Sequence, residues 1–386
     1  MAPTPNPAEL HAWIRLNLEP GLKSEHLQLL LSIFGMPQNI CTASSGSLAR
    51  YLAPELAARL SRPPDDIQQA AIEQSLEWLR APGHALLTLA DQDSYPAALM
   101  DLESDAPSVL FAHGDLDLLQ RPAIAIVGAR SATQSGMDNA QDFAQYLAGQ
   151  GWCIVSGLAS GIDAAAHQGA LLAGPTGGGT IAVLGTGIDR VYPTSNRDLA
   201  HRIAANGLLL SEFPLGTKGL PMNFPRRNRL VAALSRGVLV VEAAKRSGSL
   251  ITARLAGNLG REVFAIPGSI HSPLSHGCHA LIRQGAKLVE SGQDILEELQ
   301  QGKLPGIRRP MPAPPMPAPT TMAPPDGLPA DAFEKLLEAL GRDPTGLDQI
   351  QSQTGWTTSE LLSRLTLMEL AGQIVCQPDG RYLRRR

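Results

Sequence analysis

The densest group of chemically active side chains lies in the segment that reads Asn223-Phe224-Pro225-Arg226-Arg227-Asn228-Arg229. Its three arginines stand out because the whole chain carries a net charge of −4. Guanidinium groups beside an aromatic ring and an amide suit a phosphate backbone whose bases stack or hydrogen-bond nearby. A solvated basic turn is the alternative. Pro225 restricts the backbone before the arginines, and the apolar run Leu230–Leu234 anchors the chain after them. We therefore favour nucleic-acid contacts from Phe224, Arg226, Arg227, Asn228 and Arg229.

Two glycine-containing turns could receive phosphates on backbone N–H groups at the start of a helix. The first is Val127-Gly128-Ala129-Arg130-Ser131, where Gly128, Arg130 and Ser131 are the candidate contacts. It is not the dinucleotide fingerprint, because Arg130 and Thr133 stand where glycines are needed, and a purely structural turn is equally compatible. The second turn contributes the candidate contacts Lys245, Arg246, Ser247, Gly248 and Ser249.

A third turn, Ser156-Gly157-Leu158-Ala159-Ser160-Gly161-Ile162-Asp163, is rich in small residues that would let a bulky ligand approach. We expect Ser156, Gly157, Ser160 and Gly161 to contact the ligand. Asp163 could cap the next helix and His167 could pack against it. For these two side chains we favour a structural or ligand-orienting role over acid–base catalysis, and no catalytic residue is predicted.

Two further motifs resemble cofactor sites only superficially. The run Gly174-Pro175-Thr176-Gly177-Gly178-Gly179-Thr180 precedes a predicted strand and has no lysine before its threonine, so the Walker pattern fails. His271, His276, Cys278 and His279 have a spacing that matches no familiar zinc module. We therefore expect neither a cofactor nor a metal site.

The composition indicates a globular protein of two to three domains, with 386 residues of which 44% are hydrophobic and 18% are charged. The four cysteines, Cys41, Cys153, Cys278 and Cys376, form no CxxC pair, which suits a reducing compartment. The first ten residues lack the apolar core of a signal peptide, and no apolar stretch approaches the roughly 20 residues of a membrane span. A cytosolic location without a membrane segment is expected.

The arrangement of apolar runs predicts an α/β fold with a doubly wound parallel sheet. Six short runs without polar alternation suit strands buried on both faces, and the segments between them are long enough for crossover helices. The runs are Ala123–Val127, Cys153–Val155, Thr180–Leu184, Leu208–Ser211, Val238–Val241 and Glu262–Ile266. In such a sheet ligands bind beyond the carboxyl ends of the strands, where the glycine-rich turns described above follow.

Four regions are expected along the chain. Residues 1–120 form a helical domain with a connector, in which Leu10–Leu18 and Leu27–Phe34 read as two helices joined by a tight turn at Pro20-Gly21. Residues 121–302 form the Rossmann-like domain. Residues 303–330 are a proline-rich linker. Residues 331–386 have the pattern of three helices and a hairpin that is typical of a winged helix.

Read together, the motifs resemble the DNA-processing protein A (DprA/Smf) family in order and spacing. The matching segments are Val127–Arg130, Ser156–Asp163, Ser211-Glu212-Phe213-Pro214, Phe224–Arg229, Ser247–Ala253 and Ile266-Pro267-Gly268. The resemblance implies an extended Rossmann-like domain between a sterile-alpha-motif-like N-terminal domain and a C-terminal winged helix.

The same resemblance implies a function and partners. It implies a non-catalytic protein that binds and protects incoming single-stranded DNA during natural transformation, acts with single-strand-binding protein and helps to load RecA. It also implies a homodimer that uses the end of the Rossmann-like domain, here Ile282–Leu299. Within it the apolar residues Leu288, Val289, Ile295 and Leu296 are the candidate interface, although they could equally be core residues.

Two departures from the family and one alternative function remain open. Lys218 lies earlier than the lysine that some members carry just ahead of the aromatic-proline-arginine segment, and the C-terminal module is poor in basic residues before Arg381. We therefore favour a protein-contact or accessory role for that module. The alternative function is a phosphoribohydrolase-like nucleotide-processing enzyme that uses Glu242 and Arg227, although its P-G-G-x-G-T-x-x-E signature is missing.

Overall fold

The computed structural model describes residues 6–91, 94–301, 328–340, 345–371, 373–376 and 381–384. Most of the predicted linker, residues 303–327, lies outside the described residues, as do Gly372, the predicted turn Pro378-Asp379-Gly380 and the last two arginines. The chain divides into two compact units, Met1–Leu304 and Pro305–Arg386.

The first unit begins with six helices. They are α1 (Pro7–Leu18), α2 (Ser24–Phe34), α3 (Pro37–Thr42), α4 (Ser45–Leu48), α5 (Pro54–Leu60) and α6 (Asp66–Trp78). Helix α1 starts because the Asn6 side chain accepts a hydrogen bond from the Ala8 N–H and Pro7 occupies the first helical position. Its buried face, which includes Trp13 and Leu16, packs into an apolar core shared with the sheet. The predicted pair of helices joined at Pro20-Gly21 is therefore present as α1 and α2.

A nine-stranded sheet forms the centre of this unit. Its strands are β1 (His84–Thr88), β2 (Val109–Gly114), β3 (Ala123–Val127), β4 (Cys153–Ser156), β5 (Thr180–Val183), β6 (Leu208–Ser211), β7 (Gly237–Val240), β8 (Glu262–Ala265) and β9 (Lys287–Leu288). The order across the sheet is β1-β2-β6-β5-β4-β3-β7-β8-β9. Strands β3 to β9 pair in parallel, whereas β2 pairs antiparallel with β6 and with β1. The predicted parallel sheet is confirmed, and two strands that precede residue 121 extend it.

Helices cover both faces of the sheet, as a doubly wound fold requires. They are α7 (Gln134–Gly149), α8 (Ile162–Leu172), α9 (Arg197–Asn206), α10 (Asn223–Ala233), α11 (Ser249–Asn258), α12 (His276–Arg283) and α13 (Gly292–Gln301). Three 3-10 segments accompany them, at Ala97–Asp105, Leu116–Gln120 and Thr194–Asn196. Alternate residues of one strand enter different cores: Ala125 lies in one apolar cluster, and Ile124 and Ile126 lie in another on the opposite face.

The chain reverses its direction of winding between β3 and β7, which are neighbours in the sheet but far apart in sequence. Strands β4, β5 and β6 lie on one side of β3, and β7, β8 and β9 lie on the other. A crevice opens at such a switch point, outside the carboxyl ends of the strands. The turns that follow β3, β4, β5, β6 and β7 all lie at this edge.

The second unit has the predicted winged-helix architecture. Its helices are α14 (Ala330–Leu340), α15 (Leu347–Thr354) and α16 (Thr358–Leu370), and its strands are β10 (Thr345–Gly346), β11 (Ile374–Cys376) and β12 (Arg381–Arg384). The strands form a small sheet in the order β10-β12-β11. Phe333, Leu336, Ile350, Leu361 and Leu365 are buried in one core. Among the helices of the described residues, none is both long enough and apolar enough to cross a bilayer.

Replacing Gly169 tests the close packing of α7 on α8. A Cβ atom at Gly169 would lie 2.1 Å from the Gln141 carbonyl oxygen of α7. Because the clash is with backbone, Gly169→Ala should lower the free energy of unfolding by about 1–3 kcal/mol.

The matched control is Gly257→Ala in α11, where no atom lies within 4 Å of the added Cβ. It should change stability by no more than about 0.5 kcal/mol, because Gly257 lies in the last turn of α11, where the preference of alanine over glycine counts for less than in a helix interior. Thermal unfolding of both variants checks this. Equal stability of the two variants would contradict the close packing.

Candidate functional site

A small pocket lies at the carboxyl edge of the sheet and is defined here as the aromatic pocket. Its cavity of about 80 Å³ is lined by Arg130, Gly157, Ala159, Ser160, Tyr192, Pro193 and Phe224. The ring centroids of Tyr192 and Phe224 are 5.3 Å apart, with the ring planes tilted by 39°. The Arg130 guanidinium carbon lies 5.2 Å from the centroid of the Phe224 ring, within the range of a cation–π contact. Turns that are distant in sequence therefore place one cation against the Phe224 ring, with the Tyr192 ring beside it.

The start of α10 holds Phe224 in this pocket. The Asn223 side chain donates a hydrogen bond from Nδ2 to the Gly185 carbonyl oxygen at 3.2 Å. A Cβ atom at Gly185 would lie 2.8 Å from Cδ1 of the Phe224 ring, so the turn after β5 must carry glycine there to admit the ring. The sequence Asn223-Phe224 thus fixes an aromatic face beside the switch point.

Arg227 lies beneath the turn that follows β4 and is only 4% exposed. Its Nη1 atom donates to the Val183 carbonyl oxygen at 2.7 Å. A Cβ atom at Gly157 would lie 1.7 Å from the same nitrogen, so Gly157 is needed to leave room for the guanidinium. Burial lowers the pKa of Arg227 to about 10, with Asp163 opposing the shift, and the group therefore stays cationic at neutral pH. Arg227 supplies positive charge under the pocket without reaching its surface.

Asp163 and His167, the two candidate acid–base groups, make structural hydrogen bonds. Asp163 accepts hydrogen bonds from the N–H groups of Gly157 at 3.2 Å and Ala159 at 3.4 Å. Burial raises the pKa of Asp163, and Arg227 opposes this shift. The Nδ1 atom of His167 lies 2.7 Å from the Thr180 hydroxyl oxygen, so this histidine is hydrogen-bonded to β5. The sequence-based expectation was that it would pack against Asp163. Burial lowers the pKa of His167 to about 3 and keeps the ring neutral.

The arginine-rich segment does not form a single cluster, which corrects the sequence-based expectation for it. The segment forms the first two turns of α10, where successive side chains point about 100° apart. Arg226 and Arg229 share the Oε2 atom of Glu212, at 3.1 Å and 2.6 Å, while Arg227 points inward. The Arg229 side chain is 13% exposed and that of Arg226 is 58% exposed. Only Arg226 of the three therefore presents most of its surface to solvent.

Three other predicted contacts have structural roles at this edge. The Ser156 hydroxyl is buried and donates to the Ile126 carbonyl oxygen at 2.7 Å, so it is not free to bind a ligand. Gly128 lies so close to Ile162 that a Cβ atom would approach its Cγ1 to 2.5 Å. Gly161 has a φ of +74°, and a Cβ there would lie 2.4 Å from the Ala129 carbonyl oxygen. These glycines let the turns after β3 and β4 pack together.

The turn after β7 brings its candidate residues to the same edge, next to α10. Asn228 donates from Nδ2 to the Gly248 carbonyl oxygen at 3.4 Å. The hydroxyl oxygens of Ser247 and Ser249 are 2.7 Å apart, and Ser249 is buried. The remaining predicted residues of these turns, Ser131, Lys245 and Arg246, are exposed.

Glu242, the candidate catalytic carboxylate of the alternative function, is occupied by a helix cap. Its Oε2 atom accepts from the Thr133 N–H at 2.9 Å, and its Oε1 atom accepts from the Thr133 hydroxyl at 2.6 Å. Thr133 is itself the N-cap of α7. The carboxylate therefore ties the end of β7 to the start of α7 across the switch point.

The structure places most of the candidate dimer interface inside the chain. Val289, Ile295 and Leu296 belong to the apolar core between the sheet and α7, α8 and α13. Leu288 is 46% exposed at the edge strand β9. The alternative that the first three are core residues therefore applies, and only Leu288 retains surface for a partner.

The side chains of the candidate metal group contact different parts of the backbone. Cys278 is buried and faces the carbonyl oxygens of Val240 and Val241, while ring nitrogens of His276 and His279 contact backbone carbonyl oxygens of the preceding loop. Within the described part of the chain, no group of three His, Cys, Asp or Glu side chains is placed to hold a metal ion.

Sequence analysis missed two residues that shape this edge. Tyr192 lines the aromatic pocket and is 48% exposed. Its position in a loop that follows β5, next to a proline, is the signal that could have identified it. Glu212 was noted only as part of the Ser211–Pro214 motif. The signal that could have identified it is its position in the same α/β crossover, 14 residues before Arg226.

Comparison with known proteins identifies two regions of the chain. Residues 86–300, more than half of the chain, match the family model for DNA recombination-mediator protein A. Residues 312–380 match the model for the DprA winged helix domain.

Several curated proteins are similar over most of this chain. Protein Smf of Escherichia coli K12 is 43% identical over 319 residues, which cover 82% of this chain and 81% of that protein. Protein Smf of Synechocystis is 40% identical over 335 residues, with 81% and 83% covered. The DNA processing protein DprA of Streptococcus pneumoniae is 49% identical over 226 residues, with 58% and 77% covered.

Two solved structures share the fold. The X-ray structure of DprA from Streptococcus pneumoniae has a TM-score of 0.65 and 39% identity, and the match covers 77% of this chain and 99% of that one. A structure of DNA processing protein A from Helicobacter pylori, which concerns the single-stranded DNA binding mode of that protein, has a TM-score of 0.51 and 33% identity. That match covers 57% of this chain and 96% of the other.

The neutral, buried ring of His167 makes stability depend on pH. The unfolded chain binds a proton on this residue near its usual pKa of 6.5, whereas the folded chain does so only near pH 3. The free energy of unfolding therefore decreases as pH falls from about 6.5 toward 3, by about 1.4 kcal/mol per pH unit. Denaturant unfolding at several pH values measures the loss.

The control is His167→Asn, whose side-chain amide can still donate to Thr180 but does not titrate. Its unfolding free energy should fall less steeply than that of the wild type between pH 6 and pH 4. Parallel pH profiles for the two proteins would remove His167 as the cause.

Proposed function

This chain belongs to the DprA/Smf family, and we propose that it binds single-stranded DNA at the aromatic pocket without catalysing a reaction. The observation that carries the proposal is the contact of Arg130 with Phe224 beside the exposed ring of Tyr192. A guanidinium can pair with a phosphate while the aromatic faces stack on bases, which is the usual combination in proteins that bind single strands. The Helicobacter pylori relative, for which a single-stranded DNA binding mode is described, supports it.

The charge around the pocket favours a polyanion. Arg130 is exposed at its rim, and Arg227 adds a buried charge beneath Gly157. Lys245 and Arg246 lie exposed on the turn after β7, next to the switch point. A local group of cations can attract a phosphate backbone even though the chain as a whole is slightly acidic.

A single strand should bind better than a duplex. The pocket has a volume of about 80 Å³ and is walled by inward-facing turns. It therefore admits part of one unpaired nucleotide more easily than a double helix. In duplex DNA the base faces are already stacked on their neighbours and are not free to meet Tyr192 or Phe224. Stacking on these rings therefore selects for unpaired bases.

The family resemblance extends the proposal to partners and place. We infer that the protein acts in the cytosol during natural transformation or recombination, protects incoming strands together with single-strand-binding protein, and helps to load RecA. A homodimer would present two aromatic pockets to one strand, with residues near the edge strand β9 at the interface. The winged helix, residues 331–386 after the linker 303–330, would serve protein contacts.

Replacing Arg130 tests the proposed site directly. Arg130→Ala removes an exposed cation without disturbing the core, and it should weaken binding of a labelled 20-nucleotide single strand by about tenfold or more. Arg227→Ala is a poorer test because that side chain is buried and its loss would also destabilise the fold. Fluorescence anisotropy gives the dissociation constants.

The matched control is Arg202→Ala, which removes an exposed arginine near the carboxyl end of α9, away from the pocket. It should leave affinity nearly unchanged. Affinity should also fall as salt rises, because bound phosphates release counterions, and Arg130→Ala should show a shallower dependence. Equal losses for both variants would show that the pocket is not the site.

The non-catalytic part of the proposal has its own test. Because Glu242 is held by Thr133 and Arg227 is buried, we expect no release of free base when the purified protein is incubated with nucleoside monophosphates. Chromatography of the reaction mixture detects the base. Release that disappears in Glu242→Gln would instead favour the phosphoribohydrolase-like alternative.

A further inference from the structure

A second and larger cavity lies against the other face of α10. It is a cleft of about 690 Å³ between the turn that joins α1 to α2, the segment 104–109 and the residues that follow β6. Arg226 and Arg229 line it, whereas Phe224 of the same helix lines the aromatic pocket. We call it the interhelix cleft. Its volume falls within the range of pockets that bind small organic ligands.

The chemistry of the cleft walls argues against a simple anion site. Four acidic side chains and three basic ones line it. Two of the basic ones, Arg226 and Arg229, already pair with Glu212. Apolar side chains such as Leu16, Leu22 and Phe213 make up much of the remaining wall. Apolar walls with a few polar groups of both kinds suit a neutral heterocycle better than a phosphate.

Four polar atoms in these walls are buried without a hydrogen-bond partner in the protein. They are Asn17 Nδ2, Ser108 Oγ, Glu212 Oε1 and Arg229 Nη1, and each belongs to a residue that lines the cleft. Buried polar groups are nearly always paired, and an unpaired carboxylate oxygen is especially costly. The set contains donors and acceptors, which is the pattern needed to pair with the edge of a base.

We propose that the interhelix cleft binds an unpaired nucleobase that carries an exocyclic amino group, as adenine, cytosine and guanine do. The proposal rests on the proposed function, since it extends the binding of a single strand to the second face of α10. The amino group would donate to Glu212 Oε1, and the amide of Asn17 or the hydroxyl of Ser108 would pair with ring acceptors. The base could belong to the bound strand or to a free nucleotide.

Arg226 is the side chain that must move for this to happen. It is 58% exposed, so its displacement breaks one partly solvated ion pair with Glu212 and one cation–π contact, in which the guanidinium carbon lies 5.3 Å from the Phe213 ring centroid. Once displaced, it can pair with the phosphate of the nucleotide whose base enters the cleft. Arg229, which is mostly buried, stays on Glu212 and keeps the carboxylate oriented.

Thymine should be the base that the cleft rejects. Its Watson–Crick edge has N3–H as its only donor, and a carbonyl oxygen flanks this donor on each side. A carboxylate oxygen that accepted from N3–H would therefore lie close to at least one repelling oxygen. A carboxylate placed to accept from an exocyclic amino group discriminates against a base that has none. The consequence is a preference among single strands by base composition.

Competition between homopolymers tests this inference. The full-length protein is bound to a labelled mixed-sequence strand and is displaced with dC20 or dT20 at pH 7.5. We expect dC20 to compete about tenfold better than dT20. Glu212→Gln should reduce this ratio toward one, because an amide presents a donor as well as an acceptor and can pair with thymine.

Asp105→Asn is the matched control, because Asp105 is an exposed acid in the same cleft and the substitution changes the charge equally. It should keep the wild-type ratio. If Glu212→Gln does not fold, Asn17→Leu and Ser108→Ala provide the second test. Each should weaken dC20 competition and leave dT20 competition unchanged.

The outcomes separate this inference from the proposed function. Equal competition by dC20 and dT20 in the wild type, or a ratio unaltered in all three cleft variants, overturns the base site while leaving single-strand binding intact. Failure of every strand to bind overturns both. Calorimetric titration with dCMP and dTMP distinguishes the sources: selective binding of dCMP indicates a free nucleotide, and selectivity only within strands indicates the strand.

Discussion

The aromatic pocket depends on the contact between the buried guanidinium of Arg227 and the Val183 carbonyl oxygen. This contact fixes α10 against the end of β5, and Phe224, three residues earlier on the same helix, is thereby set against Gly185. The turn after β4 can close over the guanidinium only because residue 157 is glycine, and Asp163 then binds the N–H groups of that turn. The buried charge thus positions two walls of the pocket, the start of α10 and the turn after β4.

The parallel part of the sheet could be predicted from the sequence because its strands are buried on both faces. Such strands must be short, apolar and free of alternation, and Ile124, Ile154, Ile181 and Val238 satisfy this in their runs. Strands β1 and β2 were not predicted because they belong to the antiparallel edge, where His84 faces His113 across the pair and interrupts the apolar pattern. Strand β9 has only two residues, too few for any periodicity.

The site was predicted less completely, for a reason of geometry. The sequence shows that Arg226, Arg227 and Arg229 are close along the chain, but helical rotation sends them to different surroundings. Their partners are Glu212, just after β6, and the carbonyl oxygen of Val183 in β5, and both lie outside the arginine-rich segment. By contrast Phe224 and Arg130 were correctly brought to one edge, because the carboxyl ends of parallel strands must meet there. The close approach of the turns at Gly128 and Gly161 likewise becomes visible only in three dimensions.

The antiparallel extension of the sheet by β2 and β1 also governs how the molecule can be divided. Strand β6 hydrogen-bonds to β2 on its outer side, so a truncation that began at the first parallel strand would uncover the main-chain groups of β6. An uncovered strand of this kind is a template for aggregation between molecules. The helices of the first 78 residues share an apolar core with β2 and β6, so their removal would also expose apolar surface. A shortened protein that is meant to remain monodisperse must therefore keep the amino-terminal helices together with the sheet.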